Sequence, residues 1–270
     1  MKKYLSMTGN IIKYYLIYFI ITFISQFSIG IIYGIKYYKT LPKSKIVQLI
    51  MNNLYLTTGI ASIITFFVYI LLFKNKEQNL YQRCKFKKIS SNNIISIILI
   101  SIIISFTSSN IAIFMSTIFE SYKKVSKILL TGVSSPLNAL CILLILPAFE
   151  EILFRGLIFN ELKKNINITA SIIIQSLIFA ICHGNIVQGI YTFLMGIILA
   201  LIYNFTNSIY APILLHITYN ILGTMVFPKI LKYPAKYSIL FILIGLVCLV
   251  FTLLRFYSKQ NNFIKENNLY

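Results

Sequence analysis

The chain has 270 residues, 58% of them apolar and only 11% charged, and its formal net charge is +19. A soluble domain of this length carries about a quarter charged residues, so a water-soluble globular protein is excluded. The apolar residues come in runs close to the ~20 residues that a bilayer-crossing helix needs. The positive charge sits in short stretches between those runs, such as Lys85, Lys87 and Lys88. That suits contact with anionic lipid, and no basic face for nucleic acid forms.

The runs predict about eight spans, near residues 11–34, 54–73, 93–118, 138–160, 168–183, 187–205, 208–227 and 237–256. The expected fold is an all-α polytopic transmembrane bundle of those helices around a membrane-embedded polar cavity. The first run follows Met1, Lys2 and Lys3. It is too long for a secretory signal and ends without a small-x-small cleavage site, so it reads as a retained anchor. Residues 1–138 carry spans without a diagnostic motif, residues 139–226 carry every polar cluster, and residues 227–270 hold the last span and a C-terminal tail. The stretch 119–137, with Lys123, Lys124 and Lys127 beside Val125, Ile128 and Leu129, fits an amphipathic interfacial helix or a connecting loop equally well. Cys84, Cys141, Cys182 and Cys248 match neither a disulfide framework nor a metal knuckle. They read as small packing residues. No internal repeat is visible.

Eight spans put both termini on one side. That side collects Lys2, Lys3, Lys13, the basic residues from Lys74 to Lys88, Lys163, Lys164, Arg255, Lys259 and Lys265. The other side holds Lys36, Lys39, Lys43, Lys45, Lys123, Lys124, Lys127, Lys229, Lys232 and Lys236. The first group is the larger, and the positive-inside rule then predicts cytoplasmic termini in a cell membrane.

The chain has no aspartate, six glutamates and two histidines. Ionisable groups at bilayer depth are costly and mark function or paired structure. Glu150, Glu151 and Arg155 interrupt one apolar run. Glu151 and Arg155 are four apart and share a helix face, acid before base, which predicts an ion pair. Glu150 points about 100° away and is left for chemistry. Pro147, one turn earlier, removes a helical hydrogen bond and predicts a kink. Phe179 and His183 are four apart in a second span, and His216 and Asn220 in a third. Two donors on one helix face suit an oxyanion site. A buried glutamate suits a general base near neutral pH. Structural readings stand beside these: a carbonyl-bonded histidine for His183 and a polar interhelical clamp for Asn220. An aspartyl mechanism is excluded, and no HExxH zinc motif or Gly-x-Ser turn occurs.

The ordered set Glu150-Glu151-x-x-x-Arg155, Phe179-x-x-x-His183 and His216-x-x-x-Asn220 resembles the CAAX-protease and bacteriocin-processing family, also called Abi. The stretches from Gln188 to Gly196 and from Ser208 to Pro212 resemble it too. The resemblance implies an eight-helix bundle with a conical cavity. It implies that Glu150 and His183 activate water and that His216 and Asn220 hold the oxyanion, with Glu151, Arg155 and Phe179 in support. It implies a peptide hydrolase without cofactor; zinc held by Glu150, His183 and His216, in line with the family's former description as metalloproteases, stays the alternative, since His and Glu side chains suit zinc. The implied partners are membrane lipid and a peptide or lipidated-protein substrate. Richness in Ile, Lys, Asn, Tyr and Phe suggests AT-rich coding and a bacterial member, hence bacteriocin processing or self-immunity. A non-catalytic scaffold or immunity protein of the same fold is the competing expectation. A proton-coupled transporter is the third, though paired halves are not visible.

Overall fold

The computed structural model describes the backbone of residues 1–266 and the side chains of residues 1–261. Lys265 and the end of the C-terminal tail therefore lie outside the described side chains. Every regular element among the described residues is a helix. In chain order they are α1 (Lys2–Tyr37), α2 (Lys43–Asn52), α3 (Leu54–Phe73), α4 (Leu80–Cys84), α5 (Ser91–Met115), α6 (Ser121–Gly132), α7 (Pro136–Asn165), α8 (Ile168–Ile181), α9 (Ile186–Thr206), α10 (Tyr210–Ile230) and α11 (Ser238–Glu266). The protein is an integral, multi-pass membrane protein: seven of these helices are long and apolar enough to cross a bilayer.

The eighth expected span is a short one. α8 has 14 residues, which is about 21 Å of helix against a hydrocarbon core of roughly 30 Å. Its ends are written in the sequence. Asn167 caps its start by accepting from the Ala170 N–H at 2.8 Å. Gly184, at φ +65°, turns the chain just beyond its end. Asn185 then caps α9 by accepting from the N–H groups of Val187 and Gln188. α8 and α9 pack as a hairpin, and His183 lies half-buried at its turn. The stretch 119–137, open between helix and loop in the sequence, contains helix α6 with Tyr122 buried beneath it.

In lipid the outer face of a helix bundle is apolar, and small or polar residues mediate helix contacts. Phe19, Phe23 and Phe27 form an exposed ring stack along α1, facing where lipid tails would lie. Inside, one apolar cluster gathers Tyr14, Tyr69, Phe73, Phe149 and residues 152–154 and 157–159 of α7. A second joins Ile97, Ile100 and Ile104 of α5 to Met195, Leu199, Leu215 and Leu249. Polar contacts define two ends. Asn10 bonds to Glu161, Lys163 to Asn204, Lys259 to the Asn92 carbonyl and Gln260 to Asn93. The start of α1, the 74–93 loop, the ends of α7 and α9 and the C-terminal end of α11 thus share one end. α6 lies at the other.

α7 is not a uniform α-helix. Residues Cys141–Ile145 and Ile152–Phe159 are wound as π-helix, with one α-helical stretch, Leu146–Glu151, between them. The first π stretch ends just before Pro147, a residue that has no N–H to give. A third π stretch, Leu222–Val226, follows Asn220 in α10.

Candidate active site

Glu150 and Glu151 sit on the α-helical stretch between the two π windings of α7, and their environments differ sharply. The Glu151 and Arg155 side chains are fully buried, while that of Glu150 is 24% exposed. Arg155 Nη1 donates to Glu151 Oε1 at 2.8 Å and Nη2 donates to the Gly196 carbonyl at 3.2 Å. Its guanidinium also lies over the Phe179 ring, 4.5 Å from the centroid. A desolvated contact of this kind is worth about 2 kcal/mol.

His216 joins the two glutamates. Its Nδ1 lies 2.7 Å from Glu151 Oε1, the same oxygen that Arg155 holds, and its Nε2 lies 3.7 Å from Glu150 Oε2. A carboxylate accepts, so Nδ1 carries the proton and Nε2 is the nitrogen that faces Glu150. Glu150 is therefore not free of partners, as helix geometry alone implied; a residue 66 positions away in sequence meets it. Glu151 is more than an ion-pair lock, because it orients a ring.

His183 is fixed from its own helix. Its Nδ1 lies 2.8 Å from the Phe179 carbonyl, and a carbonyl can only accept, so Nδ1 donates and Nε2 is left for other contacts. Phe179, itself buried, sets its ring edge-to-face against both histidines, with centroids 4.9 Å from His183 and 6.0 Å from His216. Asn220 donates one amide hydrogen to the Ile142 carbonyl, within the first π stretch of α7, at 3.1 Å. That bond ties α10 to the helix bearing the glutamates and leaves a second N–H on the amide.

Glu150, His183, His216 and Asn220 all line one cavity of about 860 Å³. Its wall runs up to Tyr122 and Lys127 of α6. Among the described residues, no three His, Cys, Asp or Glu side chains converge in a metal-binding arrangement. Two parts of the wall were not expected from the sequence. Ser105 and Ser108 of α5 line it, and Ser105 donates to the Tyr219 carbonyl at 3.0 Å. The signal was present: Ser101, Ser105 and Ser108 recur every three or four residues in an apolar span. Tyr122 and Tyr191, edge-to-face at 6.5 Å, form the other part.

The family model described as "Type II CAAX prenyl endopeptidase Rce1-like" matches residues 132–222. That segment begins a few residues before the motif-bearing region read from the sequence and includes all four of these residues. A protein of Bacillus subtilis (strain 168) named "Putative membrane peptidase YdiL" is 35% identical over 74 residues, which are 27% of this chain and 30% of that protein. The match thus spans less than a third of that relative's length. No solved structure matches. Both likenesses are to membrane peptidases, and the family match falls on the part of the chain that carries the ordered motifs.

Proposed function

We propose that the protein is an intramembrane endopeptidase that hydrolyses a peptide bond with side chains alone. The observation that carries this reading is the row His216, Glu151 and Arg155, joined by hydrogen bonds, with Glu150 at 3.7 Å from His216 Nε2 and lining the cavity. For the oxyanion role, His216 carries a hydrogen on Nε2 as well as the one that Nδ1 gives to Glu151.

In the proposed reaction Glu150 takes a proton from water, and the oxygen attacks the scissile carbonyl. The Nε2 lone pair of His183 accepts from the same water and aims it. The tetrahedral oxyanion receives the Nε2–H of His216 and the second amide hydrogen of Asn220. Glu150 then returns its proton to the departing amine as the C–N bond breaks. Glu151, Arg155 and Phe179 hold the histidine rings in place.

Substrates of this reading are membrane-associated peptides or lipidated proteins. In a bacterial cell membrane the role would be bacteriocin processing or self-immunity. The competing reading is a scaffold that binds a partner through the same cavity. Purified full-length protein in detergent, offered a quenched-fluorescent peptide library, separates the two. Cleavage that disappears in Glu150→Gln supports the endopeptidase. Equal signals from both proteins, or none from either, support the scaffold.

A further inference from the structure

A second cavity, of about 490 Å³, lies at the end of the bundle that carries the termini. α1, the end of α3, α4 and the end of α7 form its walls, far along the chain's topology from the glutamate pair's cavity mouth at α6. Four cations line it: Lys13, Lys76, Arg83 and Lys164. Two acids line it as well, Glu77 and Glu161.

The charges are not matched inside the pocket. Glu161 is already satisfied. Arg83 Nη2 donates to its Oε2 at 2.5 Å, and Asn10 donates to its Oε1 at 3.1 Å. Arg83 is held further by the rings of Phe73 and Tyr14, at 5.1 and 5.8 Å, and its buried Nε has no partner. Lys13, Lys76 and Lys164 have no ion-pair or side-chain hydrogen-bond partner among the described residues. Nearby lysines are treated differently: Lys85 bonds to Asn207, and Lys163 to Asn204 at 2.5 Å. Three exposed ammonium groups without an ion pair, that of Lys13 over the Tyr14 ring at 5.5 Å, therefore share one concave site with a single uncommitted carboxylate.

We propose that this pocket binds the phosphate of an anionic phospholipid headgroup. Oxygen-rich, negatively charged phosphate matches converging Lys and Arg donors. A pocket of a few hundred Å³ holds a group of this size. Basic pockets between helix ends are also suited to anionic headgroups on general electrostatic grounds. The apolar surroundings favour a lipid over free phosphate. Leu72 lines the pocket, and its neighbour Leu71, like Ile12 and Leu16 beside Lys13 and Tyr14, is an exposed apolar side chain on a span. Such a surface continues the site towards acyl chains. A bound headgroup would brace α1 against the end of α7, the helix that carries Glu150.

Full-length protein, reconstituted with phosphatidylglycerol and phosphatidylcholine and then released in mild detergent, is examined by native mass spectrometry. The wild type is expected to retain phosphatidylglycerol in preference to phosphatidylcholine. The triple variant Lys13→Gln, Lys76→Gln, Lys164→Gln should retain at least about tenfold less. Lys36→Gln, Lys39→Gln, Lys43→Gln, which removes the same charge at the other end of α1, should retain as much as wild type. Lys76→Glu alone, on an exposed residue, gives the same test where the triple variant does not fold. Retention by the pocket variants, equal loss in the control variant, or equal retention of phosphatidylcholine overturns the proposal. Displacement of the lipid by millimolar inorganic phosphate assigns the site to the free ion and overturns it as well.

Discussion

Glu150 and Glu151 are neighbours along the backbone, yet one faces the cavity and the other is sealed between Arg155 and His216. Their substitutions should therefore fail differently. Glu150→Gln should abolish cleavage in the purified enzyme while its thermal unfolding stays within a few degrees of wild type. Glu151→Gln strands a fully buried guanidinium, and breaking such a pair costs about 3–5 kcal/mol. Loss of expression or a clearly lowered Tm is expected along with loss of activity. Near-normal turnover in Glu150→Gln would remove the general base from the mechanism. Asn220→Ala deletes one proposed donor and should slow turnover about 10²–10³-fold with little change in KM, since the oxyanion exists only in the transition state. A change confined to KM would place Asn220 in substrate binding instead. The metal question is answered by metal analysis of chelator-washed, active protein. We expect activity without stoichiometric zinc; zinc that is lost and restored together with activity would sink the side-chain mechanism. The Glu151–Arg155 pair was legible because i,i+4 geometry is local. The bond from Glu151 to His216 was not, because 65 residues separate them and no periodicity reports which helices meet.

At the scale of elements, the site depends on departures from regular helix. Helical spans were readable from apolar runs, and the breaks in them were not. A π stretch changes the phase of every later side chain but leaves no mark in hydropathy. The short α8 was read as a full span because the apolar pattern continues to the residues around its turn; only the Asn167 cap and Gly184 betray its true length. Close approach between elements is equally silent in composition, and Gly156 is a case. A Cβ placed there would lie 2.5 Å from Cys84 Sγ, so α4 rests directly on the second π stretch of α7. The Cys84 thiol is buried, and burial pushes its pKa up to about 12. It is a packing group in its neutral form at physiological pH, as the sequence reading of the cysteines expected. Gly156→Ala should thus be destabilising by about 1–3 kcal/mol through overpacking. Adding Cys84→Ala should recover part of that loss, because it removes the clashing sulfur. A double-mutant cycle on thermal unfolding checks this. Strict additivity would mean that the two residues do not share the contact.

For the whole molecule, the two ends of the bundle carry different tasks. One end holds the termini and the basic pocket. The other holds α6 and the wall by which the large cavity reaches the surface, with Lys123 and Lys127 exposed beside it. The surplus of lysine and arginine lies with the termini, and the positive-inside rule then predicts that this end is cytoplasmic. The inner leaflet is also where anionic lipid concentrates, so the same orientation suits the pocket of Lys13, Lys76 and Lys164. With that orientation the large cavity is expected to open away from the cytoplasm, so that a substrate would reach Glu150 from the outer face or from within the membrane. Site-directed labelling tests this in intact cells. Cys182 and Cys248 are exposed and are first replaced by alanine, whereas Cys84 and Cys141 are buried and can stay. In that background Lys127→Cys should react with a membrane-impermeant maleimide added outside, and Lys87→Cys should react only after the membrane is opened. The reverse pattern would put the cavity mouth in the cytoplasm, make the charge surplus a poor guide to this chain's orientation, and direct the search for substrates to cytoplasmic proteins.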